Sequence, residues 1–109
     1  MKIKIFLLIL LFPFTFIFQS SLADEAKMIK GLEIFNETAG CAACHVLKAA
    51  GSEGNIGPNL DTVEGLNYDS VMDIVTHGLG VMPAFGEDEI LTKEEIEIVS
   101  YFVANSAGK

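Results

Sequence analysis

The chain has 109 residues, half of them hydrophobic, and a formal net charge of −8 at pH 7. Its length fits one small domain, and the sequence shows no internal repeat or linker. The acidic balance argues against binding to nucleic acid or anionic membranes, and it favours partners with a basic docking face through long-range steering.

The first 23 residues have the layout of a secretory signal peptide. Two lysines open the segment, residues 5–18 are almost entirely apolar, and a small-x-small pattern ends at Ala23. A membrane anchor is the alternative, but spanning a bilayer takes about 20 apolar residues. We therefore predict a signal peptide over residues 1–23 and a mature domain over residues 24–109. That domain would be periplasmic, without stable membrane insertion after cleavage.

The predicted mature chain is small and strongly acidic. It keeps all 15 acidic residues but only five of the seven lysines, which gives a formal charge of −10. A chain of this size buries a modest fraction of its surface and is marginally stable alone. A large apolar cofactor would supply much of the missing core.

The first helix is predicted over residues 24–38. Gly31 interrupts it at a cost of about 1 kcal/mol relative to alanine, and Phe35 follows one turn later. This pairing indicates that another helix crosses closely there, although a neutral surface glycine is the alternative. The apolar positions fall at helical spacing: Met28, Ile29, Leu32 and Phe35.

Cys41-Ala42-Ala43-Cys44-His45 forms the C-x-x-C-H pattern that is typical of covalent c-type haem attachment. Positions i and i+3 lie on one side of a helical turn, so both sulfurs can reach one haem edge. The adjacent His45 then lies under the porphyrin, where a ring nitrogen can ligate iron. A disulfide is the alternative, but a thioredoxin-like role needs a βαβ setting and no strand-like alternation appears.

Residues 46–55 are rich in Ala and Gly and are predicted to form a loop. Pro58 follows in a segment that should be rigid, because proline fixes its own φ and lacks an N–H. A ligating histidine usually donates its second ring N–H to a carbonyl or carboxylate. The residues leave two interpretations open: a carbonyl near Pro58 that accepts from His45, or a simple proline turn.

A short helix is predicted over residues 67–76, with Asn67 as its N-cap and His77 at its C-terminal end. The glycine-bracketed loop that follows, residues 80–86, contains Met82 just before a proline, which favours extended backbone. Met82 is therefore a candidate iron ligand rather than an apolar gap-filler. His77 is the rival sixth ligand, although a cation at a helix C-terminus has a simpler electrostatic explanation.

The last helix begins with a capping box formed by Thr92 and Glu95. We expect this helix to cross the first one at Gly31 and Phe35. Its apolar stripe consists of Ile96, Val99, Phe102 and Val103.

Together these features resemble the small class I c-type cytochromes, in the family's order and over essentially the whole mature chain. The resemblance implies a small all-α fold of three to four helices around one haem c, bound covalently through Cys41 and Cys44. It also implies His45 and Met82 as axial ligands, with the Pro58 carbonyl accepting the His45 hydrogen bond.

The function that this resemblance implies is one-electron transport by a non-enzymatic, monomeric carrier. Residues 48–61 look loosely like the haem subunits of periplasmic sulfite dehydrogenases, so a dedicated dehydrogenase subunit is the alternative. A haem enzyme or gas sensor is the third possibility, and it would need an open distal site.

Overall fold

The computed structural model describes residues 16–109, with side chains from residue 21 onward. Most of the predicted signal peptide lies outside the described residues. The described residues contain three α-helices: α1 (Phe16–Glu33), α2 (Tyr68–His77) and α3 (Lys93–Ser106). No helix within residues 16–109 is long and apolar enough to cross a membrane. The predicted all-α class is confirmed.

Helix α1 already runs from Phe16, the first described residue, through Asp24, so its predicted start at Asp24 is wrong. The residues around the predicted cleavage site include neither glycine nor proline, so nothing local ends the helix there. At its other end α1 continues into a π-helical turn, Ile34–Thr38, which buries Ile34 and Phe35. The predicted C-terminal boundary near Thr38 is confirmed.

The predicted crossing of the first and last helices is also confirmed. A Cβ atom placed on Gly31 would lie 2.3 Å from the Phe102 Cβ and 3.1 Å from the Ile98 carbonyl oxygen. Only glycine permits this approach. The Phe35 and Phe102 rings meet edge to face one turn away, with centroids 5.9 Å apart, a favoured aromatic geometry.

The segment after the C-x-x-C-H motif contains a small antiparallel hairpin, which the sequence analysis missed. Strand β1 (Val46–Leu47) pairs with β2 (Ser52–Glu53). Gly51 has a φ of +66° at the turn, a conformation that glycine adopts without steric cost. Strands of two residues are too short to show a periodic pattern, which explains the incorrect expectation of a loop without strands.

Helices α2 and α3 begin as predicted, each with a reciprocal cap. The Asn67 side chain accepts from the Ser70 N–H at 2.9 Å, and the Ser70 hydroxyl accepts from the Asn67 N–H at 3.0 Å. Thr92 and Glu95 exchange two bonds of 3.1 Å in the same way. The core between the helices consists of Ile34, Phe35, Leu47, Val75, Phe85, Leu91, Ile96, Val99, Phe102 and Val103.

Candidate cofactor site

A cavity of about 550 Å³ opens between α2, α3 and the C-x-x-C-H segment. This volume lies within the roughly 300–1,000 Å³ of typical cofactor sites. Its walls are mostly apolar, and Glu64 is the carboxylate among its lining residues. The five residues singled out from the sequence all line it: Cys41, Cys44, His45, Pro58 and Met82.

The two cysteines lie on a tight turn at one side of this cavity. Gly40, with a φ of +71°, precedes a 3₁₀ turn over Cys41–Ala43. The N–H groups of Cys44 and His45 then both donate to the Cys41 carbonyl, at 3.1 and 3.0 Å. The turn therefore presents both thiols and the imidazole within a single short segment.

Burial raises the pKa of the Cys41 thiol to about 11, and no disulfide joins Cys41 to Cys44. Reactive dithiols of redox enzymes have lowered pKa values and electropositive surroundings. The surroundings of Cys41 have the opposite effect, since they favour a neutral thiol facing an apolar cavity. The pair therefore does not resemble a thioredoxin-type redox centre.

The His45 ring is held between a carbonyl and a glycine. Its Nδ1–H donates to the Pro58 carbonyl oxygen at 2.7 Å, which leaves Nε2 with a free lone pair. A Cβ on Gly57 would lie 2.6 Å from the ring's Cε1. Gly57 thus allows the backbone to approach the imidazole closely, and the hydrogen bond to Pro58 orients the ring.

Backbone hydrogen bonds hold the Pro58 segment against the C-x-x-C-H segment. Gly57 N–H donates to the Cys44 carbonyl at 2.8 Å, and Leu60 N–H donates to the Val46 carbonyl at 3.0 Å. Ser52, which is buried, donates through its hydroxyl to the His45 carbonyl at 2.8 Å. Sequence reasoning gave neither Gly57 nor Ser52 a role of its own, because their roles depend on where the His45 ring and carbonyl lie in space.

Met82 reaches the cavity from the loop after α2. Leu79 and Met82 exchange two backbone hydrogen bonds, of 3.2 and 3.0 Å, which make a tight reversal. Gly78, with a φ of +75°, lies close under it: a Cβ there would be 2.8 Å from the Met82 carbonyl oxygen. The loop geometry thus depends on Gly78, the residue that follows the end of α2.

His77 does not line this cavity. It borders a separate shallow depression on the surface, and its Nδ1 lies 2.5 Å from a Glu87 carboxylate oxygen. The structure therefore places the rival sixth ligand away from the cavity.

The residues of the cavity fit a haem. The walls are apolar, the two thiols lie together at one side, and His45 keeps one ring nitrogen free for a metal. Haem iron in electron-transfer proteins is commonly bound by a thioether and an imidazole. Met82 and His45 carry these two groups in the cavity walls.

Comparison with known proteins identifies the family. The protein family described as cytochrome c oxidase, cbb3-type, subunit III matches this chain over residues 26–103. Cytochrome c6 from Gloeothece citriformis (strain PCC 7424) is 31% identical over 111 residues, which cover 97% of this chain and 93% of the relative. Cytochrome c6 from Rippkaea orientalis (strain PCC 8801 / RF-1) is 31% identical over 114 residues, with coverage of 98% and 96%.

A solved structure is similar as well. The c-type cytochrome SorU from Sinorhizobium meliloti is 46% identical to this chain and superposes with a TM-score of 0.70. The match covers 78% of this chain and 95% of that protein. The chain therefore belongs to the small class I c-type cytochromes, electron-transfer proteins, and carries one covalent haem c at its C-x-x-C-H motif.

Proposed function

We propose that this cytochrome is a periplasmic one-electron carrier in which His45 and Met82 are the two axial ligands of the haem iron. The observation that carries the proposal is that one apolar cavity has both residues in its walls, with the Nδ1 of His45 already engaged by Pro58. The haem supplies a metal that changes oxidation state by one electron. The protein's own residues determine its ligands, its exposure and its partners.

His45 would serve as a rigid ligand. Its hydrogen bond to Pro58 fixes the tautomer with Nε2 free, and such a bond raises the basicity of a ligating imidazole. Gly57 leaves room for the ring, because a side chain at that position would clash with it. A ligand that cannot reorient keeps the structural change small when the metal gains or loses an electron.

Met82 would serve as the second protein ligand of the iron. A thioether ligand raises the reduction potential, and a second protein ligand leaves no open position for a substrate or gas. This arrangement favours a carrier over a haem enzyme or sensor. The tight Leu79–Met82 reversal supports it, because it limits how far Met82 can move away.

The surface around the cavity mouth would dock redox partners. Five large apolar side chains that line the cavity are exposed on this surface: Ile56, Val63, Ile74, Leu79 and Val81. The domain carries excess negative charge, so a partner with an apolar contact and a basic surround would be steered towards this face. Transient redox contacts of this kind are small.

Substitution of Met82 by alanine tests the ligand assignment. The oxidised protein should lose the weak far-red band that reports thioether ligation, and the reduced protein should bind carbon monoxide. Met72→Ala is the matched control, because Met72 only packs against the core. An unchanged spectrum in the Met82 variant would refute the assignment.

A dedicated haem subunit of a periplasmic dehydrogenase, for example a sulfite-oxidising one, is the second candidate. The loose similarity of residues 48–61 to such subunits favours it. Purification of the native protein from the periplasmic fraction separates the two proposals. A stoichiometric complex with a larger catalytic subunit would support the second, and a free monomer would support the carrier. Absence of the protein from that fraction would contradict the periplasmic location.

A further inference from the structure

The loop that carries Met82 leaves the end of α2 and returns to it. Phe85 N–H donates to the Val75 carbonyl at 2.9 Å. Gly86 and Glu87 N–H both donate to the Thr76 carbonyl, at 3.2 and 3.1 Å. The two ends of the loop are therefore adjacent, as in a compact surface loop closed at its base. Whatever holds this base also limits the movement of Met82.

One side-chain pair joins the two sides of this base. His77, the last residue of α2, contacts the Glu87 carboxylate through Nδ1 at 2.5 Å. Its Nε2 lies 3.7 Å from an Asp73 carboxylate oxygen, one turn earlier in α2. Both His77 and Glu87 are more than half exposed, so the pair is accessible to solvent protons.

We propose that His77 and Glu87 are positioning residues that hold the Met82 loop closed over the haem, and that this hold weakens as the pH rises. The proposal rests on the proposed role of Met82 as the sixth ligand. His77 acts through the loop and not on the iron.

The charges around His77 give the direction of the pH effect. The hydrogen bond to Glu87 is the largest effect and raises the pKa of His77 above its ordinary 6.5; desolvation lowers this pKa, and the charges of Glu87 and Asp73 raise it. Asp88 borders the same depression. A raised folded-state pKa means that the stabilisation is complete below 6.5 and is lost as the pH rises through the raised value. Neutral His77 still donates one N–H, so the contact weakens rather than breaks.

Imidazole is a suitable probe because it competes with Met82 for the iron of the oxidised holoprotein. Its affinity is calculated from the concentration of the neutral form at each pH. Glu87→Gln removes the charge and keeps the size. At a pH below 6.5 it should increase the imidazole affinity roughly two- to fivefold, the range of an exposed ion pair. Glu89→Gln is the matched control, since it removes the same charge two residues away and leaves the pair intact.

The pH profile separates positioning from simple structural support. The imidazole affinity of the wild type should rise with pH above 6.5, and that of Glu87→Gln should change little. His77→Lys keeps a cation beyond this range, so it should retain tight closure and give a flat profile. Equal affinities in Glu87→Gln and Glu89→Gln, or the same pH step in both the wild type and Glu87→Gln, would overturn the proposal.

Amide hydrogen exchange makes the test independent of ligation. The Gly86 and Glu87 amides should exchange faster in Glu87→Gln than in Glu89→Gln, once corrected for intrinsic rates. If Met82 is not a ligand, the wild type will lack the far-red band, but the difference in amide exchange between the two variants will persist. If the pair does not hold the loop, the band is present and the difference is absent.

Discussion

Gly31→Ala is the sharpest test of how the fold is held together. A Cβ at this position would lie 2.3 Å from the Phe102 Cβ and 3.1 Å from the Ile98 carbonyl oxygen. Ordinary carbon contacts begin near 3.5 Å, so α1 and α3 would have to separate by about 1 Å. Neither contacted atom is the far end of a flexible side chain, so local rearrangement cannot absorb the clash.

The magnitude follows from two opposing effects. Overpacking in a dense core costs about 1–3 kcal/mol, and separation of the helices also weakens the Phe35–Phe102 contact. Alanine is the better helix former by about 1 kcal/mol, which offsets part of the cost. We expect a net loss of about 2 kcal/mol and a fall in Tm of roughly 8–16 °C for a domain of this size.

Thermal and guanidinium unfolding of the holoprotein, followed by circular dichroism, measures this change. Gly51→Ala is the control: a Cβ there meets nothing within 4 Å, and its φ of +66° adds only backbone strain, about 1–2 kcal/mol. Alanine at Gly31 therefore tests the effect of the close helix contact, and alanine at Gly51 tests the effect of backbone strain alone. A neutral or stabilising Gly31→Ala would show that helix propensity dominates and that the close crossing is not what the sequence requires.

Two further substitutions test the site and its supports. Gly57→Ala places a Cβ 2.6 Å from the His45 ring. We expect this substitution to displace the ring, to shift the NMR resonances of His45 and to lower the free energy of unfolding by about 1–3 kcal/mol. Unshifted His45 resonances would contradict this prediction. Asp61→Asn tests a link between chain segments, because one carboxylate oxygen accepts from the Lys48 N–H at 2.8 Å and the other from the Gly108 N–H at 2.9 Å, whereas an amide offers one oxygen. These bonds lower the pKa of Asp61, Gly108 contributing most, so its stabilisation is present above the ordinary pKa and is lost on acidification through the lowered value. Chemical denaturation at neutral and acidic pH should therefore show wild type and Asp61→Asn converging at low pH, and a constant difference would refute the assignment.

The parts of the fold that the sequence predicted are those encoded by local chemistry. The Asn67 cap, the capping box of Thr92 and Glu95, and the glycine at the helix crossing each have a recognisable signature over a few residues. The C-x-x-C-H motif is equally local. Such features depend on spacing along the chain, so a single sequence is enough to find them.

The rest depends on long-range packing. The role of Gly57 is defined by the His45 ring, and that of Asp61 by a backbone amide near the other end of the chain. The β1–β2 hairpin is too short to produce alternation, and α1 continues through Asp24 because no residue nearby breaks a helix. None of these features has a pattern that can be recognised before the chain is folded.

The contact between α1 and α3 means that the two ends of the described chain hold each other. A single cut in the connection between β2 and α2 would give two fragments that still share this contact. The first fragment would keep the haem by its covalent bonds, and the second would supply α2, the Met82 loop and the wall from α3. The fragments should therefore remain associated or reassemble, because each contributes one side of the α1–α3 contact and part of the cavity wall.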